Sequence, residues 1–391
     1  MTQTDIRADA SSLRQQLVAW RRDFHRHPEL ALQEHRSAKI IAEELRELGY
    51  EVDTGVAGTG VVGLLEGTET GPVVLARFDM DALSILEENE TEYASQHEGV
   101  MHACGHDGHM AIGLGVATLM ARYRERLRGT LKVMFQPGEE GARGGPLMVE
   151  AGVLENPRPE VFLAAHVWNE LPVGTVDVTR GAVMAAADKW GCRVQGKGGH
   201  GATPHLAIDP IVAAAQIVTG LQTVVSRSVS PLDTAVVTVG SFRGGEAFNV
   251  IPDSVDLSGT IRTYDEQVRE DVVGRLRQVI ERGAAAHAAS ADLQVEYLTP
   301  AVVNDPDLVQ LVRAAAETIV GADAVTSGRR TMGSEDAAYF MREVPGCYFF
   351  LGSANPEKGL DAPHHNPHFD FDEDVLPVGV AVMTAATLDI A

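Results

Sequence analysis

The sequence is poor in cysteine, poor in basic residues and without a long hydrophobic run. Its three cysteines, Cys104, Cys192 and Cys347, are too few among 391 residues to build a disulfide framework. Only 32 residues are Lys or Arg against 55 Asp or Glu, which gives a formal net charge of −23. Because binding phosphates requires a basic face, this acidity argues against nucleic acid and anionic membranes as partners. We attribute most of the charge to solubility.

No hydrophobic segment approaches the roughly 18 uninterrupted apolar residues that a membrane helix needs. The N-terminal segment carries Asp5, Arg7 and Asp9 and has no apolar centre, so it does not resemble a secretory signal. We therefore expect a cytoplasmic protein that does not bind a membrane.

Hydrophobic spacing indicates alternating helices and strands in the first part of the chain. Apolar residues recur at helical spacing over 12–27 and 34–48. Short apolar runs bounded by glycine or proline predict strands at Val61–Leu65 and Val73–Phe78. The other elements predicted here are a helix over 107–122 and strands over 131–135 and 161–166. This alternation favours an α/β sheet covered on both faces.

The pattern changes near Ala186. The elements that follow have the order β-α-β-β-α-β, which suits a small two-layer α+β domain of ferredoxin-like type with one antiparallel sheet. Its predicted strands are 189–197, 234–241, 253–263 and 292–297, and its predicted helices run from Pro210 to about Arg227 and over 266–288. Elements of the first kind resume at 308–319, 347–351 and 374–389. We therefore predict a larger α/β domain, 1–185 and 299–391, interrupted by an inserted domain, 186–298.

The densest group of potential metal ligands is the segment Met101-His102-Ala103-Cys104-Gly105-His106-Asp107-Gly108-His109. Cys104 and His106 stand two residues apart, so an extended or turn segment can point both side chains to one side. A thiolate and an imidazole are good ligands for first-row metals, and Asp107 can orient one of them. A buried cysteine beside a helix start explains the same residues without a metal.

Three further groups lie at predicted strand ends or in loops. Glu139 and Glu140 directly follow a strand, where adjacent carboxylates point in different directions, so one can bind a metal while the other acts as general base. His166 ends the apolar strand Val161–Ala165, at the edge where α/β sheets bind ligands. Pro363–His368 is a proline-bracketed loop with three histidines. Taken singly, these groups also fit a solvated acidic turn, a structural histidine and a polar surface.

Taken together, the ligand types describe a mixed nitrogen, oxygen and sulfur site. A structural zinc site takes four ligands in a closed and usually cysteine-rich set. Here a carboxylate and several histidines accompany one cysteine, which favours an open or two-metal catalytic site. The candidate ions are Zn, Mn, Co and Ni.

Eight segments, in order along the chain, resemble the two-metal amidohydrolases and peptidases that include hippurate hydrolases, N-acyl-amino-acid amidohydrolases and plant auxin-conjugate hydrolases. Any one segment is weak evidence, whereas the ordered set is highly specific. The segments are Arg77–Leu83, His102–Asp107, Gln136–Glu140, His166–Pro172, Gly198–His205, Asn249–Asp253, Gly333–Asp336 and His365–Pro367.

The resemblance implies a zinc-peptidase-like catalytic domain, an inserted dimerisation or lid domain, and two divalent ions in each subunit. It makes Glu139 the general base, which later protonates the leaving amine. It places His200 at the oxyanion, in the active site of a partner subunit, and Asn249 and Arg262 at the α-carboxylate of the substrate. The metal ligands that it implies are Cys104, His106, Glu140, His166 and His365.

The activity that follows is hydrolysis of N-acyl amino acids, with N-acetyl, N-benzoyl or similar acyl groups, by a homodimer or higher homo-oligomer acting on a small molecule. A dipeptidase or carboxypeptidase with the same machinery is the alternative, and the intact Glu139 argues against a non-catalytic metal-binding protein. Arg77 stands where the wider superfamily has a histidine, and Phe78, Ser84 and Ala337 also depart from the family pattern.

One motif points to a different enzyme class. Gly58–Gly63 matches the G-x-G-x-x-G pattern of dinucleotide-binding sites, which need a helix directly after the glycines. The following residues predict a strand instead, Val61–Leu65, so we expect no dinucleotide cofactor.

Overall fold

The computed structural model describes residues 3–391. Met1 and Thr2, which begin the segment predicted not to be a secretory signal, lie outside these residues. The helices are α1 (Gln3–Ser12), α2 (Arg14–Arg26), α3 (His35–Glu47), α4 (His106–Arg122), α5 (Gly144–Glu150), α6 (Pro210–Thr223), α7 (Glu266–Ala286), α8 (Pro306–Val320), α9 (Ala338–Met341) and α10 (Val375–Ile390). The strands are β1 (Glu51–Val56), β2 (Gly60–Glu66), β3 (Glu69–Asp79), β4 (Arg128–Gln136), β5 (Val161–Pro172), β6 (Val176–Asp177), β7 (Gly181–Met184), β8 (Ala186–Gln195), β9 (Gly199–His200), β10 (Ala235–Arg243), β11 (Val250–Ile251), β12 (Ser254–Thr263), β13 (Ser290–Thr299), β14 (Val302–Asn304), β15 (Val325–Thr326) and β16 (Gly346–Ala354).

Every helix and strand predicted from the sequence is present. The strand predicted over 161–166 is longer than expected, because β5 continues to Pro172. The strand predicted at Val61–Leu65 is β2, so a strand and not a helix follows the glycines of Gly58–Gly63. Among residues 3–391, no helix combines the length and apolarity needed to cross a membrane.

The chain forms two compact units. The second contains Ala182–Val302 and Arg330–Glu335, and the first contains the rest of the described chain. The predicted insertion, 186–298, falls inside the second unit. Arg330–Glu335, which we had expected in the surrounding domain, groups with the second unit because the N–H of Thr331 donates to the Val183 carbonyl and the N–H of Ala185 donates to the Gly333 carbonyl.

The first unit is built on a mixed sheet with the strand order β1-β2-β4-β3-β5-β16-β6-β15. Its four central strands β4, β3, β5 and β16 run parallel to one another, and β2 and β6 pair antiparallel on either side of them. On β5, Leu163 packs in the core formed with α4, α8 and α10, while the preceding Phe162 stacks on Phe340 of α9. Since successive residues of a strand face opposite sides, helices cover both faces of this sheet, as predicted.

Strand register brings the predicted site residues to one level of the sheet. Asp79 at the end of β3 pairs with Gln136 at the end of β4, and Arg77 pairs with Ala164 on β5. His166 was predicted to end its strand, but β5 continues past it to Pro172, because β5 goes on pairing with β16. It still lies two residues beyond Ala164, level with the carboxyl ends of β3 and β4.

The second unit has the predicted β-α-β-β-α-β order, formed by β8, α6, β10, β12, α7 and β13. Its sheet is antiparallel with the order β10-β12-β8-β13, and Trp190 lies fully buried in the core that α6 and α7 share with it. The side chains of Asp209 and Asp265 accept from backbone N–H groups at the starts of α6 and α7. A separate ribbon pairs β9 with β11.

Candidate metal centre

Gly105 lets the chain turn from Cys104 into α4. Its φ of +89° lies in the left-handed region, and a Cβ there would lie 2.4 Å from Cγ2 of Val167. Only glycine satisfies both conditions without strain. The turn places His106 at the first residue of α4 and leaves Cys104 just before it.

The five predicted ligand side chains lie in two overlapping groups that share Cys104. In each group, one donor atom per residue lies within 4.8 Å of the others. Cys104 Sγ is 3.6 Å from His166 Nε2, and Glu140 Oε1 is 3.0 Å from His365 Nε2. The first group is Cys104, His106 and His166, and the second is Cys104, Glu140 and His365.

We call these five side chains the cluster. Each of its two buried histidines forms a hydrogen bond through one ring nitrogen and presents the other nitrogen to the cluster. His106 Nδ1 is 2.9 Å from the Asp81 carbonyl oxygen, and His166 Nδ1 is 2.6 Å from that of Val167. His106 Nε2 is buried and has no hydrogen-bond partner among the described residues. An imidazole that donates from one nitrogen and leaves the other unpaired is the usual form of a metal ligand. The residues therefore fit a divalent first-row ion.

Without an ion, burial and neighbouring charges set the protonation of these donors. Burial raises the pKa of the Cys104 thiol well above its ordinary value, with a further contribution from Glu140. Burial opposes protonation of His106, but Asp79 and Asp81 raise its pKa to about 10. Burial lowers the pKa of His166 well below its ordinary value, so that its ring is neutral. A bound cation would displace protons from Cys104 and His106, as thiolate and imidazole ligation requires.

Glu139 lies at the edge of the cluster. It is half-buried, and a carboxylate oxygen lies within 4.8 Å of donor atoms of His106 and Glu140. The carboxylate of Glu140 thus belongs to the group of Cys104 and His365, and the carboxylate of the adjacent Glu139 lies beside that group. This is the separation of roles expected for a ligand next to a general base.

The loop with three histidines contributes only one of them to the cluster. His365 has a φ of +63° and its N–H donates to the Ala103 carbonyl at 2.8 Å, which fixes its backbone beside Cys104. The ring of His364 instead stacks on Trp168, at 4.7 Å between centroids. His368 Nε2 lies 3.1 Å from Glu88 Oε2.

Asp79 and His109 lie in segments that the sequence analysis noted, but it gave neither residue a role in the site. His109 Nδ1 is 2.6 Å from Asp79 Oδ1, and its Nε2 accepts from the Val167 N–H at 3.0 Å. Because both ring nitrogens are engaged, His109 supports its neighbours and leaves no lone pair for a metal. Arg77, which replaces the histidine of the wider superfamily, donates to Asp79 Oδ2 at 2.7 Å. The repeated aspartates of Asp79-Met80-Asp81 were the available signal.

The remaining candidates lie in the second unit. His200 and Asn249 are exposed and close together, since His200 pairs with Val250 in the ribbon of β9 and β11. Nδ1 of His200 accepts from the Ala202 N–H at 3.0 Å. Arg262 lies on β12, half-buried, and its Nη1 has no partner among the described residues. Burial lowers the pKa of Arg262, and Asp188 partly offsets this.

Comparison with known proteins places this geometry in context. The family described as Peptidase family M20/M25/M40 matches residues 75–389. N-acetyl-L-cysteine deacetylase of Bacillus subtilis is 38% identical over 366 residues, which cover 94% of this chain and 86% of that protein. Thermostable carboxypeptidase 1 of Saccharolobus solfataricus is 35% identical over 381 residues, covering 96% of this chain and 95% of that protein.

A solved structure has a similar fold. The YXEP protein of Bacillus subtilis, described as a dinuclear metal binding peptidase, matches with a TM-score of 0.86 at 34% identity, over 97% of this chain and 98% of that one. The resemblance drawn from the ordered motifs is thereby confirmed. With the family match extending over most of its length, this chain belongs to Peptidase family M20/M25/M40, and it is a metal-binding hydrolase that acts on amide bonds.

Proposed function

We propose that this enzyme hydrolyses N-acyl amino acids, with N-acetyl, N-benzoyl or similar acyl groups, to a carboxylate and a free amino acid. The observation that carries the proposal is the cluster around Cys104 with Glu139 at its edge. The deacetylase relative supports this substrate class, since its name describes removal of an acyl group from an amino acid.

Two divalent ions, of Zn, Mn, Co or Ni, are proposed to bind in each subunit. The two overlapping ligand groups support this number, as does the description of the YXEP protein as dinuclear. Such ions would supply Lewis acidity, which polarises an amide oxygen and lowers the pKa of bound water to roughly 7. Cys104, His106 and His166 would hold one ion, and Cys104, Glu140 and His365 the other.

Glu139 is the proposed general base and acid. Its carboxylate takes a proton from the attacking water and later delivers it to the nitrogen of the leaving amine. Glu140 keeps its charge for metal binding: although burial opposes ionisation, the contact with His365 and the charge of His106 lower its pKa.

His200 is proposed to stabilise the oxyanion in the active site of a partner subunit of a homodimer. The exposure of the ribbon supports this role, because Val250 on the ribbon is 53% exposed and Leu206, which follows β9 in the chain, is 65% exposed. Apolar surface of this kind marks contact sites. Asn249, on the same ribbon, is proposed to bind the substrate.

Arg262 is proposed to bind the α-carboxylate together with Asn249. A guanidinium can form two parallel hydrogen bonds to a carboxylate, which selects amino-acid substrates over neutral amides. The unpartnered Nη1 of Arg262 supports this assignment. No nucleic acid or membrane is part of the proposal, and a cytoplasmic location is proposed with it.

Replacing Glu139 by Gln tests the mechanism. We expect kcat for an N-acyl amino acid to fall about 10²- to 10⁴-fold with the metal content unchanged, because general-base catalysis contributes that much. Glu281→Gln, at an exposed position on α7, is the matched control and keeps the parental rate. If Glu139→Gln hydrolyses its substrate at the parental rate, the proposed mechanism is wrong.

A carboxypeptidase or dipeptidase activity is the second candidate, favoured by the likeness to Thermostable carboxypeptidase 1. A panel of N-acetyl, N-benzoyl, longer N-acyl and dipeptide substrates, assayed with each defined metal, separates the two. A higher kcat/KM for the dipeptides would replace the first proposal by the second.

A further inference from the structure

Three consecutive backbone N–H groups, those of Gly138, Glu139 and Glu140, donate to carboxylates from distant parts of the chain. Gly138 donates to Glu34 Oε1 at 2.9 Å. Glu139 donates to Asp81 Oδ1 at 3.1 Å, and Glu140 donates to Asp81 Oδ2 at 2.9 Å. Runs of N–H groups in turns bind anions elsewhere. Here two buried carboxylates of the same chain occupy that place.

Asp81 connects the two glutamates to a third side chain of the cluster. Its main-chain oxygen accepts from His106 Nδ1, while its carboxylate accepts from the N–H groups of both Glu139 and Glu140. One residue therefore orients a candidate metal ligand and fixes the main chain that carries the proposed base.

Glu34 is itself held in place. Its Oε1 also accepts from the Leu32 N–H at 2.9 Å, and its Oε2 accepts from the hydroxyl of Thr59 at 2.5 Å. Gly138, which it fixes, has a φ of +62°, so this residue begins a sharp turn before the glutamates.

We propose that Asp81 and Glu34 are positioning residues that fix the main chain of Gly138–Glu140, so that Glu139 and Glu140 keep separate roles. The inference rests on the proposed function of Glu139. Of two adjacent residues, one can act as the base and the other as a metal ligand only while the backbone between them keeps one conformation. A misplacement of about 1 Å in such a site can cost about 10²-fold in rate.

The two carboxylates differ in what can replace them. Both oxygens of Asp81 accept from N–H groups, so the amide of Asn would face one of those groups with its own N–H₂. Glu34 accepts from the N–H groups of Leu32 and Gly138 at Oε1 and from the hydroxyl of Thr59 at Oε2, and a hydroxyl can accept as well as donate. Gln at position 34 therefore preserves every hydrogen bond, whereas Asn at position 81 loses one.

The first experiment measures amide hydrogen exchange and steady-state kinetics of the metal-loaded Asp81→Asn enzyme. We expect exchange at Glu139 and Glu140 to accelerate about tenfold or more, and kcat to fall about 10- to 100-fold with KM within about threefold, as for other residues that support metal ligands. Thermal unfolding of the same samples shows whether the variant is folded.

The second experiment compares Glu34→Ala with Glu34→Gln. Glu34→Ala accelerates exchange at Gly138 and lowers kcat, and Glu34→Gln restores both. This pair decides the question if Asp81→Asn does not fold. Unchanged exchange in Asp81→Asn and Glu34→Ala overturns the proposal, and so does faster exchange with a parental kcat. A parental rate in Glu139→Gln would instead overturn the proposed function, which the exchange measurement does not depend on.

Discussion

The side chains around Cys104 and those around His200 are held in very different ways. His106 and His166 are 1% and 5% exposed, and a hydrogen bond from Nδ1 fixes each ring. His200 and Asn249 are exposed and lie on a ribbon of two short strands. The first set is buried and held by hydrogen bonds within its own unit, whereas the second is exposed to solvent.

This difference separates two kinds of functional residue. A ligand group must be fixed before the ion arrives, since every degree of freedom that the ion has to freeze weakens binding. Residues that meet a substrate only in the assembled enzyme need no such support in the isolated chain. Substitutions should therefore divide into those that change metal binding and those that change only turnover or KM.

The largest effect is expected for Cys104→Ser, which removes the donor that both ligand groups share. We expect metal content to fall with it and activity to drop about 10³-fold or more, because a hydroxyl is a poor substitute for a thiolate. Metal analysis after dialysis and kcat/KM measure the two effects. Cys192→Ser is the control, since Cys192 is buried in the second unit. Full metal retention by Cys104→Ser would remove Cys104 from the ligand set.

Much of this architecture could be predicted from the sequence. The hydrophobic patterns predicted the main elements of both units, because strands covered on both faces are continuous apolar runs and helices that bury one face have apolar residues at helical spacing. Edge strand β1 was not predicted. Its residues are mostly exposed, so its sequence shows no clear alternation of apolar and polar residues. The helix α5 has only seven residues and is too short for helical periodicity to show.

Some contacts of the site could be predicted from the sequence and others could not. Residues of one segment, such as Cys104 and His106, could be paired by their spacing. The links from Asp81 to Glu139 and from Glu34 to Gly138 span 58 and 104 residues, so only the folded sheet brings them together. That Arg330–Glu335 groups with the second unit likewise depends on backbone hydrogen bonds that no local pattern reveals.

The next largest effect tests the exposed ribbon. His200→Ala should lower kcat about 10²- to 10³-fold with metal content unchanged, as expected for loss of an oxyanion donor. If His200 acts across a dimer, equal mixing with Glu139→Gln chains restores about a quarter of the parental rate, because half of the dimers then carry one intact site. No recovery under proven subunit exchange contradicts action across the dimer.

A smaller effect is expected at Arg262. Arg262→Ala should raise KM for an N-acyl amino acid about 10- to 100-fold with little change in kcat, since hydrogen bonds to charged groups contribute that much to binding. The same acyl group on an amino-acid amide, which lacks the carboxylate, is the matched control substrate. Equal losses on both substrates would show that Arg262 does not bind the carboxylate.

The smallest effect concerns the stability of the fold at the start of α4, next to the buried residues Cys104 and His106. His25 Nδ1 lies 2.8 Å from Asp107 Oδ2 and its Nε2 lies 3.2 Å from Glu87 Oε1. Burial opposes protonation, but these carboxylates raise the pKa of His25 from 6.5 to about 9. The folded state therefore holds this proton more tightly than the unfolded chain. The resulting stability is fully present below pH 6.5 and is lost as the pH rises through 9.

His25→Gln should thus unfold about 5 °C below the parent at pH 6, and the difference should shrink towards pH 9.5. His287→Gln, which removes a histidine ring bonded to the uncharged Gln216, is the matched control. A difference for His25→Gln that stays constant across this range would mean that His25 contributes by packing and not by charge.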